Sequence, residues 1–243
     1  MRTTFESMGT VVSLEAPAVG HPLVRRVFET AEARFSLFRP DSELSRVAAG
    51  ELPLTRASAE LLDTYARAVL WRERTDGAFT PNRPDGVIDL NGIVKAEAVE
   101  AAGAALTAAG CHHWSINAGG DILVADAGHD GAPHLIALAD PADASATLCA
   151  ITLAGPRRAV ATSGSAQRGD HIWRGGSRTP AAFVQVSVVA DDIVTADVLA
   201  TAIVASGRDT LDAVCDRWDV DVFTVDRDGA MLATPGLRAA LAA

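Results

Sequence analysis

Apolar and polar positions alternate from residue 3 to 16, most clearly through Thr10-Val11-Val12-Ser13-Leu14, which predicts a strand. Gly9 falls inside that run, and a glycine there marks a bulge, a close approach of another group or a simple twist. From Pro22 to Phe35 the spacing changes: Leu23, Val27, Ala31 and Phe35 recur every four positions and predict an amphipathic helix with proline in its first turn. A second helix is expected over 56–75, with Leu61, Leu62, Tyr65, Val69 and Leu70 on one face. Asp76-Gly77-Ala78-Phe79-Thr80-Pro81 stops it, and the Gly/Pro/Asp-rich run to Gly86 reads as a loop. An alanine-rich third helix follows over 93–109, ended by Gly110 and packed through its small side chains.

In the second half the pattern is mostly that of antiparallel strands. Residues 112–125 predict a hairpin, with Gly119-Gly120 between the apolar runs Trp114 to Ile116 and Ile122 to Val124. Further strands are expected near 134–139, 147–153, 159–162 and 182–190. A helix opens at Thr195 and ends near Gly207, another spans 209–218, and a hairpin across Asp226-Arg227-Asp228-Gly229 precedes a short terminal helix. With no internal repeat and no long linker, the elements point to a single α+β domain over residues 1–243. Between the first two helices, Phe35 to Arg46 is aromatic and then turn-rich; its rings suit core packing ahead of stacking on a ring ligand.

Composition narrows the function. An apolar content of 49% is ample for a substantial core, and a net charge of −10 argues against a nucleic-acid surface, which needs a concentrated basic patch. The N-terminal residues lack a signal-peptide core, and no apolar run approaches the roughly 20 residues that span a bilayer, so a cytoplasmic protein without membrane insertion is expected. Cys111, Cys149 and Cys215 match neither zinc nor disulfide spacing and read as reduced, mostly buried thiols.

Candidate chemistry gathers around Asp89-Leu90-Asn91-Gly92-Ile93-Val94-Lys95. Lys95 is the single lysine among twenty arginines, and a compact ammonium suits a phosphate or a crowded anionic pocket; the alternative is an ordinary exposed lysine in a first helical turn. Gly92 permits close backbone approach, and the helix start beside it presents unpaired N–H groups to an anion. Gly119-Gly120 is either a plain hairpin loop or a ligand-facing turn. A lone histidine is usually structural, but His171 sits in a polar loop beside Arg168 and Asp170, and an imidazole is the side chain that can titrate near neutrality. Asp197 and Thr201 are four apart, so their oxygens share a helical face, a hard-oxygen pair suited to Mg²⁺. The structural alternative is an N-terminal acid favoured by the helix dipole and a threonine bonded to the carbonyl four residues back; as a metal ligand Asp197 is expected to be partly exposed and to contribute little to stability.

Taken together, Met8-Gly9-Thr10, Asp76-Gly77-Ala78-Phe79, Asp89-Leu90-x-Gly92-Ile93-x-Lys95, Asn117-Ala118-Gly119-Gly120-Asp121, and Thr162-Ser163-Gly164…His171 with Ala196-Asp197-x-Leu199-Ala200-Thr201-Ala202 resemble, in this order, the FAD:protein FMN transferases of the ApbE-like family. The resemblance covers residues 5–207 and implies an α+β fold with mixed or antiparallel sheets flanked by helices and an FAD cleft. It implies Mg²⁺-dependent transfer of FMN from FAD to a Ser or Thr hydroxyl of an acceptor flavoprotein, with release of AMP. By position, Gly92, Asp197 and Thr201 would meet the metal; Met8, Phe38, Ala78, Phe79, Thr80, Asp89, Lys95, Gly119, Gly120 and Ser163 would contact the flavin nucleotide; His171 would be the base, with Lys95 stabilising charge. The chain departs from the family pattern at Phe38, where Tyr is frequent, at Thr80, where Asp is, and at Ala96, where Gly is. After His171-Ile172 it carries Trp173-Arg174-Gly175-Gly176-Ser177 in place of Asp-Pro-x-Thr-Gly. Two rival activities use the same residues: an Mg²⁺-dependent FAD pyrophosphatase, and an FAD-binding protein without turnover.

Overall fold

The computed structural model describes residues 1–125, 132–143, 145–164 and 182–241. In chain order the first half contains β1 (Arg2–Ser7), β2 (Thr10–Glu15), α1 (Gly20–Phe35), α2 (Glu43–Ala48), a 3₁₀ turn (Leu54–Arg56), α3 (Ala59–Arg74) and α4 (Asn91–Ala108). The second half contains β3 (Ser115–Ala118), β4 (Asp121–Val124), β5 (His134–Ala139), β6 (Thr147–Leu153), β7 (Ala159–Gly164) and β8 (Phe183–Ala190). It closes with α5 (Ile193–Ser206), α6 (Arg208–Arg217), β9 (Asp221–Asp226), β10 (Met231–Ala233) and α7 (Pro235–Ala240).

Among the described residues, eight strands form one sheet in the order β1-β2-β3-β4-β7-β8-β9-β10, and β5 pairs with β6 in a second, two-stranded sheet. The pairings are antiparallel throughout. Alternation along the strands serves two cores. On β7, Ala159 and Ala161 face the cluster that holds α1, α4 and α5, whereas Val160 joins Ile136, Ile151, Phe223 and Leu237 on the side of the small sheet. Helices therefore cover one face of the large sheet, and β5, β6 and α7 pack on the other. Among the described residues no helix is long and apolar enough to cross a membrane.

Four local readings of the sequence are corrected. The strand expected over 3–16 is two strands joined at Met8 and Gly9, whose φ values of 51° and 68° make a tight hairpin turn; the glycine marks the reversal rather than a bulge. On α1 the buried row is Gly20, Val24, Phe28 and Phe35, with Val27 and Ala31 at its margin; Phe28 meets Phe5 edge-on at 5.7 Å, so the larger ring takes the core position. On α3 the buried row is Leu61, Thr64, Ala68 and Trp71, and Leu70 is 44% exposed; Trp71 stacks on Trp218 at 6.5 Å and turns the helix toward it. Of the cysteines only Cys111 is buried, while Cys149 is half-buried and Cys215 exposed; all three are free thiols.

The turn-rich segment after Phe35 contains α2, which the sequence reading missed. Ser42 caps it by accepting from the Ser45 N–H at 3.0 Å, and the Ser42 and Ser45 hydroxyls both donate to the Ser36 carbonyl, at 2.5 and 2.9 Å. The rings of this segment separate: Phe35 is buried, but Phe38 is 87% exposed, against the expectation of core packing for both.

Candidate active site

Lys95, Gly119, Gly120, Ser163, Asp197 and Thr201, six of the residues singled out in the sequence, lie on or between α4, β3, β4, β7 and α5, where α4 and α5 pack against β4 and β7. The third helix packs as its small side chains suggested. Gly103 is buried where an added Cβ would come within 2.6 Å of the Trp114 ring, so α4 approaches the β3–β4 hairpin more closely than any side chain would allow. That close approach delivers Lys95 to the hairpin. Its ammonium forms an ion pair with the Asp121 carboxylate, and both groups are buried, at 8% and 0% exposure. Lys95 is therefore neither an exposed first-turn lysine nor an unoccupied cation: its counter-charge is the aspartate that closes Asn117-Ala118-Gly119-Gly120-Asp121. Asp121 was quoted in the motif without a role, and its position directly after the two glycines was the available signal.

Gly119 and Gly120 have φ of 62° and 98°, the pair of positive values that a two-residue reversal requires. The Asn117 side chain accepts from the Gly120 N–H at 3.0 Å and fixes the turn. Gly120 lies against Thr162 of β7, 3.6 Å from the position of an added Cβ. One residue on, the Ser163 hydroxyl is 3.2 Å from the Thr201 hydroxyl of α5. Behind it, Thr162 meets the fully buried Ser187 hydroxyl at 2.8 Å.

On α5, Asp197 is the fifth residue. The N-cap is Asp192, which accepts from the Thr195 N–H at 2.7 Å, so Asp197 is not the acid that caps the helix. It is 4% exposed, which corrects the expectation of a partly exposed metal ligand, and lies one turn before Thr201 on the same face. At the start of α4, Phe79 covers Gly92: a Cβ there would meet the ring at 2.9 Å. Asp89 is half-buried, and its Oδ1 accepts from the Asn91 N–H at 3.0 Å, which orients the chain into the helix. Phe79 is itself held by its N–H donating to the Thr75 hydroxyl at 3.1 Å, and Thr80 accepts from the Asn82 N–H at 3.2 Å. Ala78, in the positive-φ turn of Asp76 and Gly77, borders a cavity of about 350 Å³ that reaches Trp218 beyond α6.

Four contacts thus string the motifs together: Phe79 with Gly92, Lys95 with Asp121, Gly120 with Thr162, and Ser163 with Thr201. Met8 is half-buried against the helix-side core, and Phe38 projects outward on its serine-pinned loop. His171, with Arg168 and Asp170, lies outside the described residues.

The residues that the resemblance assigns to a metal would all offer oxygens: the Gly92 carbonyl, which inside α4 keeps a second lone pair, and, on one face of α5, the Asp197 carboxylate and the Thr201 hydroxyl. Among the described residues no cluster of three or more His, Cys, Asp and Glu is present. A hard-oxygen set with one carboxylate fits Mg²⁺, which keeps several waters and substrate phosphates, and does not fit zinc.

Comparison with known proteins gives a consistent picture. The sequence model of the ApbE family matches residues 8–83 and 80–224. An FAD:protein FMN transferase of Rhodobacter capsulatus is 32% identical over 174 residues, which are 67% of this chain and 32% of that protein. The chain thus spans about a third of the length of the curated relative it matches. The ApbE protein of Thermotoga maritima superposes with a TM-score of 0.83 at 21% identity, covering 100% of this chain and 99% of the other. The flavin transferase ApbE of Vibrio cholerae gives 0.81 at 21% identity, with 99% of each chain covered.

Proposed function

The chain belongs to the ApbE family, and from that premise we propose that residues 1–243 act as one FAD:protein FMN transferase unit, moving FMN from FAD to a Ser or Thr hydroxyl of an acceptor flavoprotein. The observation that carries this reading is the seam itself, where the buried pair Lys95 and Asp121 and the half-buried pair Ser163 and Thr201 join motifs distant in sequence. Phosphoryl transfer asks little covalent chemistry of a protein and much positioning and charge stabilisation, and a preorganised seam supplies both.

In this reading Gly92, Asp197 and Thr201 would hold Mg²⁺. A bound Mg²⁺ would withdraw charge from the pyrophosphate oxygens of FAD. Lys95, fixed by Asp121, adds a positive charge that need not reorient during the reaction. Gly119 and Gly120 keep side chains out of the turn beside Thr162 and Ser163, leaving room for the nucleotide. Met8, Ala78, Phe79, Thr80 and Asp89 line its flavin end, and Phe38 offers an exposed ring face. His171 takes the proton from the acceptor hydroxyl as that oxygen bonds to the flavin-side phosphorus, and the bond from this phosphorus to the bridging oxygen breaks, releasing AMP.

Incubation of the protein with FAD, Mg²⁺ and a flavin-acceptor domain, followed by intact-mass spectrometry, tests the reading. The acceptor gains one FMN for each AMP released. Asp197→Ala should abolish transfer at limiting Mg²⁺, and His171→Ala should lose roughly 10²–10⁴-fold in rate while still binding FAD. AMP formed without a modified acceptor would assign the site to FAD hydrolysis; FAD retained without AMP would leave only a binding protein.

A further inference from the structure

Away from the seam, the exposed face of α1 forms a basin of about 670 Å³ with α2 and the 3₁₀ turn. Its rim carries Arg26 from α1, Arg46 from α2 and Arg56 from the 3₁₀ turn. All three are exposed, and none of these guanidiniums has a hydrogen-bond or ion-pair partner among the described residues.

The acids in the same basin are mostly engaged. Glu43 accepts from the Ser58 N–H and hydroxyl at 2.5 and 2.6 Å and lies 3.7 Å from Arg34. Asp41 pairs with Arg39 at 3.1 Å. Only Glu29 stands against the three open arginines, which makes the basin locally cationic on a chain whose net charge is −10. The walls are also preorganised. Ser42 and Ser45 pin the loop before α2 to the Ser36 carbonyl, and Glu43 ties α2 to both Ser58 and Arg34.

We propose that this basin is a docking site for an acidic polypeptide segment. Exposed guanidiniums spread over an open mouth hold a single small anion weakly, because water and salt screen each contact. Several carboxylates on one chain engage them together, since each contact raises the effective concentration of the next. The net charge of −10 disfavours such a segment on the rest of the chain, so its binding depends on these arginines. The proposal is independent of the transferase reading.

A fluorescein-labelled oligo-glutamate peptide, titrated by fluorescence anisotropy at low salt, tests it. Wild-type protein should bind saturably, with affinity falling as salt rises, and an oligo-lysine peptide should not compete. The triple variant Arg26→Gln/Arg46→Gln/Arg56→Gln should raise Kd roughly tenfold or more, whereas Arg72→Gln, an exposed arginine outside the basin, should leave it unchanged. Circular dichroism should find all variants folded. Unchanged binding in the triple variant, absence of wild-type binding, or displacement by inorganic pyrophosphate at concentrations like the peptide's own would overturn the proposal, the last by making the basin a small-anion site.

Discussion

Two pairs of helices in this molecule are built to opposite rules. α1 and α3 each bury one row of side chains and leave the rest to water. α5 buries ten of its fourteen residues, and α4, packed against α1, α5 and the β3–β4 hairpin, buries nine of its eighteen. On the first pair a polar side chain is the default and says little. On the second it must be taken out of water, at a cost that demands a compensating partner or a purpose. The inward exceptions are few, and they include Lys95 and Asp197, one on each buried helix.

The largest effect that would break this contrast is at Lys95. Lys95→Met strips the buried Asp121 carboxylate of its ammonium, and the expected loss is about 3–5 kcal/mol, read as a lower denaturation midpoint. Adding Asp121→Asn should recover much of that stability but none of the transfer activity. A single variant that unfolds with the wild type would mean that the enclosed helices tolerate polar groups as the outer ones do.

A smaller effect sharpens the comparison within α4. Ala102 is fully buried and Ala105 half-buried, so Ala102→Leu should cost about 1–3 kcal/mol and Ala105→Leu clearly less, measured by thermal melts. Smallest is Leu70→Glu on α3, at a position 44% exposed, where the change should stay within about 0.5 kcal/mol. Equal losses at Ala102 and Leu70 would erase the distinction.

The same contrast explains what could be read from the sequence. Strand alternation and the Gly119-Gly120 reversal were legible because each follows from a two-residue period and a positive-φ requirement. The buried rows of α1 and α3 were read about one position off, because a four-residue spacing drifts around a 3.6-residue helix and the ring contacts of Phe28 and Trp71 set the rotation. α2 was hidden because its cap and its anchor at the Ser36 carbonyl are serine contacts that resemble turn chemistry. At the seam, Lys95 was legible as the single lysine among twenty arginines, and Asp197 with Thr201 by a spacing of four on one helical face. Asp121 was not, since pairing across from α4 to β4 is a tertiary fact.

The register between β2 and β3 has a consequence for the order of events during synthesis. Val12 pairs with Ala118, so the second strand waits for a neighbour made about a hundred residues later, roughly 5–20 s at ribosomal speeds of about 5–20 residues per second. For that interval the nascent β1–β2 hairpin presents a bare strand edge with Val12 and Leu14 unburied, a template for pairing with another chain. A ribosome stalled between α1 and β3 would therefore hold an aggregation-prone fragment, and chaperone demand should peak there and fall once Ser115 to Ala118 has emerged.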